Sequence, residues 1–249
     1  MEIKAVKLYE GGFMTQDFAF GGSGDKAMLD ETKQYPSSLQ NYLIDTGKEV
    51  ILVDTSVPSE LPEMPPKEGQ KIYQGRKLQD YLSALDSLGY KKEQVTKILL
   101  THKHPDHSGE LRSFPNAKIY LSEKEADDLK LTGENVVRVA FKDGSYHNFD
   151  KSEKIAEGIY LVSAPGHTNG NSIVIAEKDG IFYMMHGDVT YTDAALLENK
   201  LSIVFEDKEA AKKTLENVRE FIKNNPTVYL STHTPEALKH LEEKAIMKL

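Results

Sequence analysis

At residues 101–109 the chain contains the stretch Thr101-His102-Lys103-His104-Pro105-Asp106-His107-Ser108-Gly109. The stretch directly follows the apolar run Ile98-Leu99-Leu100, which is typical of a buried strand. Imidazole nitrogens and carboxylate oxygens are common metal ligands, and a strand that ends here would direct them into one pocket. His102 and His104 alternate and can reach one ion together, while Asp106 and His107 can face a second ion nearby. The stretch therefore predicts a metal site at the end of a strand.

Composition limits the classes of function. The 249 residues are 39% hydrophobic and 28% charged, which is ordinary for a globular protein with a sizeable core. The net charge of -8 disfavours nucleic acid as a partner, because Lys and Arg neutralise the phosphate backbone. No apolar run approaches the length of a membrane span, and residues 1–7 lack the apolar segment of a secretory signal. We therefore expect no membrane partner and a cytoplasmic location. The chain contains no cysteine, so any metal ligands are His, Asp or Glu.

Further potential ligands follow other apolar runs. Ile159–Val162 precedes His167, Ile181–Met185 precedes Asp188, and Val228–Leu230 precedes His233. Short apolar runs bounded by Gly, Pro and polar residues predict buried strands. Ligands at strand carboxyl ends are the usual arrangement in α/β sheets, so the sequence predicts an α/β fold with a metal site at one sheet edge.

Periodicity and turn residues predict the remaining elements. We expect a hairpin of Leu39–Ile44 and Glu49–Val53, and short strands within residues 138–158. Helices are predicted over residues 75–88, 122–131, 208–223 and 235–247. The second begins with a capping pattern, in which Ser122 is the N-cap and Glu125 follows three residues later. Residues 11–36 and 58–69 are predicted to be loops, because they are rich in Gly, Ser and Asp or in Pro.

The ligand pattern resembles the metallo-β-lactamase superfamily. The run His-x-His-x-Asp-His over His102 to His107 is followed by His167, Asp188 and His233 in the order typical of that family. The resemblance covers essentially the whole chain. It implies one hydrolase domain over residues 1–249, folded as a four-layer αββα sandwich.

The resemblance also implies roles for these side chains. One metal ion would be held by His102, His104 and His167, and the other by Asp106, His107 and His233, with Asp188 bridging and Asp54 supporting a ligand from behind. Two divalent ions lower the pKa of a shared water from about 15.7 toward ~7 and polarise a carbonyl or phosphoryl oxygen. Zinc is the expected metal, with manganese or iron as alternatives for ligands that are all nitrogen or oxygen.

A tyrosine narrows the resemblance to the N-acyl homoserine lactonase branch. Tyr191 lies three residues beyond Asp188, and in that branch this phenol donates to the substrate carbonyl or its oxyanion. The implied reaction opens a lactone ring by attack of a hydroxide shared by the ions. Asp106 or Asp188 would protonate the leaving alkoxide, and the sequence leaves that choice open. The expected partner is a small ester or lactone, and pairing into a homodimer is also left open.

Other functions on the same centre stay open at this point. They are hydrolysis of another ester, a thioester or a phosphodiester, and metal binding without catalysis. The best-known zinc β-lactamases carry a cysteine where Asp188 stands, and the flavodiiron branch carries a glutamate where His104 stands. Glyoxalase II proteins have a long C-terminal extension, whereas 16 residues follow His233 here. The chain departs from the lactonase branch at Lys103, which is commonly apolar there, and at Ser56, where the family usually has glycine.

Overall fold

The larger sheet is formed by the first part of the chain. The computed structural model describes residues 1–24, 28–30 and 32–249. The strands of this sheet are β1 (Glu2–Thr15), β2 (Gln34–Asp45), β3 (Val50–Val53), β4 (Ile72–Lys77), β5 (Val95–Leu99), β6 (Lys118–Ser122) and β7 (Val136–Val139). They lie in the order β4-β1-β2-β3-β5-β6-β7. β3, β5, β6 and β7 are parallel neighbours, whereas β1, β2 and β4 form antiparallel pairs.

The second sheet is formed by the later part of the chain. Its strands are β8 (Ser152–Ala156), β9 (Ile159–Ser163), β10 (Ser172–Lys178), β11 (Ile181–Met185) and β12 (Thr227–Leu230). They lie in the order β12-β11-β10-β9-β8. β11 and β12 are parallel, and the other neighbours are antiparallel. β9 and β11 therefore run in the same direction, because both are antiparallel to β10.

α-Helices connect and flank the two sheets. They are α1 (Gln16–Phe20), α2 (Tyr81–Ser87), α3 (Pro105–Ser108), α4 (Glu123–Asp128), α5 (Asp193–Leu197), α6 (Lys208–Asn224) and α7 (Glu236–Glu243). α2 and α4 bury Tyr81, Leu85 and Ala126 against the first sheet. α6 packs Val218 and Phe221 against the second sheet.

A third apolar cluster lies between the two sheets. Val53 and Leu99 of the first sheet are fully buried with Leu161 and Val174 of the second. The order of layers is therefore helix, sheet, sheet, helix, and the predicted four-layer αββα sandwich is confirmed. Its three apolar layers explain why the strand sequences read as nearly continuous hydrophobic runs.

The carboxyl ends of the ligand-bearing strands meet at one edge of the sandwich. β3 and β5 run parallel in the first sheet, and β9, β11 and β12 run in one direction in the second. The segments that follow these strands carry Asp54, His102, His167, Asp188 and His233. Both sheets therefore contribute residues to the same edge.

Two predictions from the sequence are wrong in part. The predicted loop over residues 11–36 contains the end of β1, helix α1 and the start of β2, while its residues 25–27 and 31 lie outside the described part. The helix predicted from Gly75 begins only at Tyr81, because residues 72–77 form β4 and pair with β1. Gly75 has a φ of +106°, and a Cβ there would lie 2.0 Å from the Glu10 carbonyl oxygen. This close antiparallel approach outweighs the helical spacing of the leucines that follow.

Among the described residues, no helix combines the length and the apolar character needed to cross a membrane.

Candidate metal centre

The stretch after β5 folds into a tight turn and a single helical turn. His104 has an extended backbone just before α3, and Pro105 occupies the first position of that helix. A proline suits this position because its fixed φ is helical and its missing N–H would have no partner there. The amides of His107 and Ser108 donate to the carbonyl of His104 at 2.9 and 3.0 Å. The turn thereby directs His104, Asp106 and His107 toward the same edge as His102.

His102, His104, His167 and Asp188 come together in what we call the first ligand group. The Nε2 atom of His167 lies 2.9 Å from His104 Nδ1 and 3.2 Å from His102 Nε2. The His102 Nε2 and His104 Nδ1 atoms are 3.0 Å apart. Asp188 completes the group, with Oδ2 at 3.5 Å from His167 Nε2. These four residues can offer ligand atoms to one ion.

Asp106, His107 and His233 form a second ligand group beside the first. His233 Nε2 lies 3.4 Å from Asp106 Oδ2. Asp188 Oδ1 lies 3.3 Å from His233 Nε2 and 3.2 Å from His107 Nε2. Asp188 therefore presents one oxygen to each group, which is the placement that a bridging carboxylate needs.

Asp54 lies behind the second ligand group. Its Oδ2 is 2.7 Å from His107 Nδ1, so it can orient the imidazole with Nε2 toward Asp188. The same carboxylate accepts hydrogen bonds from the Thr101 amide and hydroxyl at 2.7 and 2.8 Å. Asp54 thus ties the beginning of the histidine stretch to His107. Ser56, at the family's usual glycine position, has a φ of +59°, so it adopts the left-handed backbone that glycine favours.

The donor set fits divalent metal ions. Among the described residues, the buried atoms His107 Nε2, His233 Nε2 and Asp188 Oδ1 have no hydrogen-bond partner, although they face one another. Unpartnered buried polar atoms are costly, and a cation that accepts their lone pairs removes that cost. Nitrogen and carboxylate ligands suit zinc, manganese and iron.

The pKa values of the buried histidines are shifted in opposite directions in the two groups. Burial lowers the pKa of His102 well below its usual value and that of His167 to about 4, so both rings are neutral at neutral pH. Burial alone would also lower the pKa of His107 and His233, but the charge of Asp188 outweighs it and raises both. Burial would raise the pKa of Asp188, yet His233 and His107 hold it well below its usual value. Asp188 is therefore ionised.

Tyr191 lies against the ligand groups. Its ring stacks on the His233 ring with 5.2 Å between centroids, and it lies 6.1 Å from the His167 ring. The Phe18 ring packs against it in a T-shaped contact, with 4.9 Å between centroids. Burial, followed by the charges of Asp188 and Asp106, raises the pKa of the phenol well above 10, so its hydroxyl stays protonated. A protonated phenol beside the centre can donate a hydrogen bond.

Sequence reasoning missed Gln74 of β4. Its side-chain amide donates to Asp106 Oδ2 at 3.1 Å. Gln74 also lines an open groove of about 570 Å³, whose apolar wall includes Val57, Leu61, Met64 and Ile72. Gln74 lies just before the helix predicted over residues 75–88, and the pairing of β4 with β1 that places it at the site is a long-range feature.

The other histidines lie apart from the two groups. His186 is buried and stacks on Tyr229 with 4.0 Å between ring centroids. His240 contacts the Tyr229 carbonyl and Asp193, and His147 packs on Phe221.

Comparison with known proteins identifies the family. The profile of the Metallo-beta-lactamase superfamily matches residues 40–233, from β2 to the last histidine of the second ligand group. The chain belongs to the metallo-beta-lactamase superfamily. The predicted family resemblance and the predicted class, a metal-dependent hydrolase, are confirmed.

Relatives in the superfamily include N-acyl homoserine lactonases. The N-acyl homoserine lactonase of Bacillus cereus is 26% identical over 197 residues, covering 76% of this chain and 78% of the relative. A solved N-acyl homoserine lactone hydrolase, with the product N-hexanoyl-L-homoserine at its catalytic metal center, superposes with a TM-score of 0.69 at 21% identity, covering 96% of each chain. AidC, a dizinc quorum-quenching lactonase, superposes with a TM-score of 0.67 at 17% identity, covering 94% of this chain and 91% of AidC. At these identities the two structures show the fold alone.

Proposed function

We propose that this metallo-hydrolase opens lactone rings, with N-acyl homoserine lactones as its substrate class. The observation that carries the proposal is the stacking of Tyr191 on His233 beside two ligand groups that share Asp188. A protonated phenol next to a pair of metal sites suits a carbonyl electrophile, whose oxygen gains charge during attack. The lactonase names among the relatives support the same substrate class.

The ligand residues divide between two ions in this proposal. His102, His104 and His167 would hold the first, Asp106, His107 and His233 would hold the second, and Asp188 offers an oxygen to each group. Two such ions supply a water whose pKa is lowered toward ~7 and a positive charge that polarises the carbonyl. Asp54 orients His107 through the contact at Nδ1.

Tyr191 donates its hydroxyl proton in a hydrogen bond to the carbonyl oxygen of the lactone. The raised pKa of the phenol keeps this proton in place at neutral pH. The bond strengthens as the oxygen gains negative charge, so it stabilises the transition state more than the bound substrate. Phe18 packs against the ring of this tyrosine with 4.9 Å between centroids.

Asp106 is our preferred group for proton transfer. Its side chain is 22% exposed, whereas that of Asp188 is 2% exposed and contacts both ligand groups. A carboxylate oxygen of Asp106 takes the proton released when water adds to the carbonyl carbon. It then returns this proton to the ring oxygen as the carbon–oxygen bond breaks. Water is added, and the products are one carboxylic acid and one alcohol.

The groove beside Gln74 favours a substrate with an apolar tail. Its wall of Val57, Leu61, Met64 and Ile72 adjoins the amide that contacts Asp106. An acyl chain that extends from the lactone ring toward this side would bury apolar surface in the groove. Such burial contributes about 25 cal/mol per Å² to the free energy of binding. A polar phosphodiester gains nothing comparable there.

Three finer expectations belong to the same proposal. The resident metal is zinc, which the nitrogen and oxygen ligands and the dizinc neighbour support. Residues 1–249 act as one domain, because both ligand groups draw residues from both halves of the chain. A cytoplasmic location stays an expectation from the sequence.

A rate comparison tests the proposal. Zinc-loaded protein should release acid from an N-acyl homoserine lactone, and a chelator should abolish this release. His167→Ala should remove most activity, whereas His147→Ala, a change at an exposed histidine outside the ligand groups, should leave it unchanged. Normal turnover of a thioester or a phosphodiester without lactone turnover would refute the substrate class. Tight metal binding without turnover of any of these would refute catalysis.

A further inference from the structure

Glu125 is a fully buried carboxylate that lies behind the first ligand group. Glu125 belongs to the first turn of α4. Its backbone amide donates to the hydroxyl of Ser122, the N-cap of that helix. The Glu125 carboxylate instead points toward two loops, the one that carries His102 and His104 and the one that carries His167. The capping pattern that predicted α4 therefore does not explain where this carboxylate lies.

Each hydrogen bond of the Glu125 carboxylate reaches a residue next to or near a ligand. Oε2 accepts from the amide of Lys103, which stands between His102 and His104, at 2.6 Å. Oε1 accepts from the Thr168 hydroxyl at 2.8 Å and from the Gly170 amide at 2.9 Å. One carboxylate thus binds both loops, and its two oxygens set the distance between them.

The side chain of Glu125 is closely packed against Gly170 and Ser122. A Cβ at Gly170 would lie 2.5 Å from Oε1 and 2.4 Å from the Ser122 hydroxyl oxygen. Burial raises the pKa of Glu125, while the donors from Thr168, Lys103 and Gly170 act in the opposite direction. A buried carboxylate is costly unless its oxygens are well bonded, and this one has three donors. The site is therefore built around the carboxylate.

A second link between the same loops is exposed and weaker. The Lys103 ammonium pairs with Glu206 and Asp128, and Glu206 Oε2 accepts from the Asn169 amide at 2.7 Å. Exposed ion pairs typically contribute about 0–1 kcal/mol. This network explains why a lysine fits where the lactonase branch commonly has an apolar residue. The rigid link is the buried one through Glu125.

We propose that Glu125 is a positioning residue that holds His102, His104 and His167 at the separation one ion requires. The inference rests on the ligand roles proposed above and not on the lactone substrate. Partners behind metal ligands typically affect metal affinity by about 10- to 100-fold when removed. Glu125 should therefore determine the affinity of the first ligand group and leave that of the second unchanged.

Metal titration of Glu125→Gln tests the inference without substrate. Gln keeps the shape, but its NH₂ group faces an amide donor where a carboxylate oxygen accepted a bond. We expect the affinity for Zn²⁺ to fall by about 10- to 100-fold in a His233→Ala background, which leaves only the first group intact. In a His104→Ala background, where the first group is broken, Glu125→Gln should have no effect on the remaining affinity. The visible spectrum of Co²⁺ bound in the first group should also change.

Glu110→Gln is the matched control. Glu110 is also a buried carboxylate, but its oxygens accept hydrogen bonds from the Ser59 amide, at 2.6 Å, and from the Ser113 hydroxyl. Its replacement should leave the first-group affinity unchanged. If Glu125→Gln does not fold, Thr168→Val decides, since it removes one donor to Oε1 and should lower the first-group affinity by a smaller factor. Unchanged affinity in the Glu125 or Thr168 variant, or an equal loss at both groups, would overturn the proposal.

Discussion

Three of the histidine ligands have a hydrogen-bonding group next to their Nδ1 atom. His107 Nδ1 contacts Asp54, His167 Nδ1 lies 3.1 Å from the Val204 carbonyl, and His102 Nδ1 lies 3.0 Å from the Thr101 hydroxyl. A hydrogen bond at one ring nitrogen fixes which nitrogen is free to bind a metal. In each of these rings the Nε2 atom is left facing the other ligands. These partners therefore help to determine which ring nitrogen can bind a metal.

Replacement of Tyr191 by phenylalanine tests its proposed role. Tyr191→Phe removes one donor to the developing oxyanion while the ring can still pack on His233. We expect kcat for lactone hydrolysis to fall about 100-fold, because removal of one such donor has an effect of that order. Metal content should be unchanged. Tyr146→Phe, a buried tyrosine outside the ligand groups, is the control and should keep the normal kcat. A normal kcat in Tyr191→Phe would show that the tyrosine only packs.

The pH dependence of metal affinity should differ between the two ligand groups, because protons compete with the metal for the histidine nitrogens. The raised pKa of His107 and His233 means that protons stay on these rings to higher pH in the metal-free protein. A metal ion must displace those protons, whereas the rings of His102 and His167 are already neutral. We expect the affinity of the second group to fall more steeply than that of the first as pH decreases from about 8 to 6. Metal titrations of His104→Ala and His233→Ala at several pH values measure this, and equal slopes would contradict it.

At the scale of residues, the sequence predicted which side chains converge but not what lies behind them. The seven predicted ligands and Asp54 are brought together because they follow buried strands that end at one edge. Their roles as ligands stay predictions. Glu125 was interpreted only as part of a capping pattern, since a glutamate at that helix position has the same sequence signature whether it caps or not. Gln74 carried no signal, because its contact with Asp106 depends on long-range strand pairing.

At the scale of elements, the buried strands were easier to predict than the edge of the first sheet. β5, β9, β11 and β12 are apolar runs that local sequence reveals, because both faces of each sheet are covered. β4 is polar and contains Gly75, so nothing local marks it as a strand. Its pairing with β1 places Gln74 at the site, which makes this edge strand part of the candidate centre.

Gly75→Ala tests the importance of the β1–β4 pairing. Gly75 combines a φ of +106° with a Cβ position 2.0 Å from the Glu10 carbonyl oxygen. We expect the free energy of unfolding to fall by about 2 kcal/mol or more, measured by chemical denaturation. Gly69→Ala is the matched control, since Gly69 has a φ of +73° but open space around its Cβ position. A loss for Gly75→Ala no greater than for Gly69→Ala would contradict this account of the edge strand.

At the scale of the whole molecule, the ligand groups join the two halves of the sandwich. The first ligand group combines His102 and His104, which follow β5 of the first sheet, with His167 and Asp188, which follow strands of the second sheet. The second group adds His233, after β12, to Asp106 and His107. Ions bound in these groups would therefore link the sheets at one edge. Metal binding should be coupled to global stability for this reason.

Removal of metal should lower the unfolding temperature. One ion present at about 100 times its dissociation constant stabilises the folded state by about 2.7 kcal/mol. For a chain of this size each kcal/mol corresponds to about 2–4 °C, so a chelator should lower the Tm by several degrees per ion. Zinc added back should restore it. In His167→Ala the chelator should produce a smaller decrease, and an unchanged Tm in the wild-type protein would contradict the coupling.

Anomalous X-ray diffraction from crystals of the zinc-loaded protein, recorded at the zinc absorption edge, would locate any bound metal ions. We expect two anomalous peaks about 3.5–4 Å apart, one within each ligand group, with Asp188 between them. A single peak, or peaks away from His167, Asp188 and His233, would contradict the claim that the two sheets together hold a pair of metal ions.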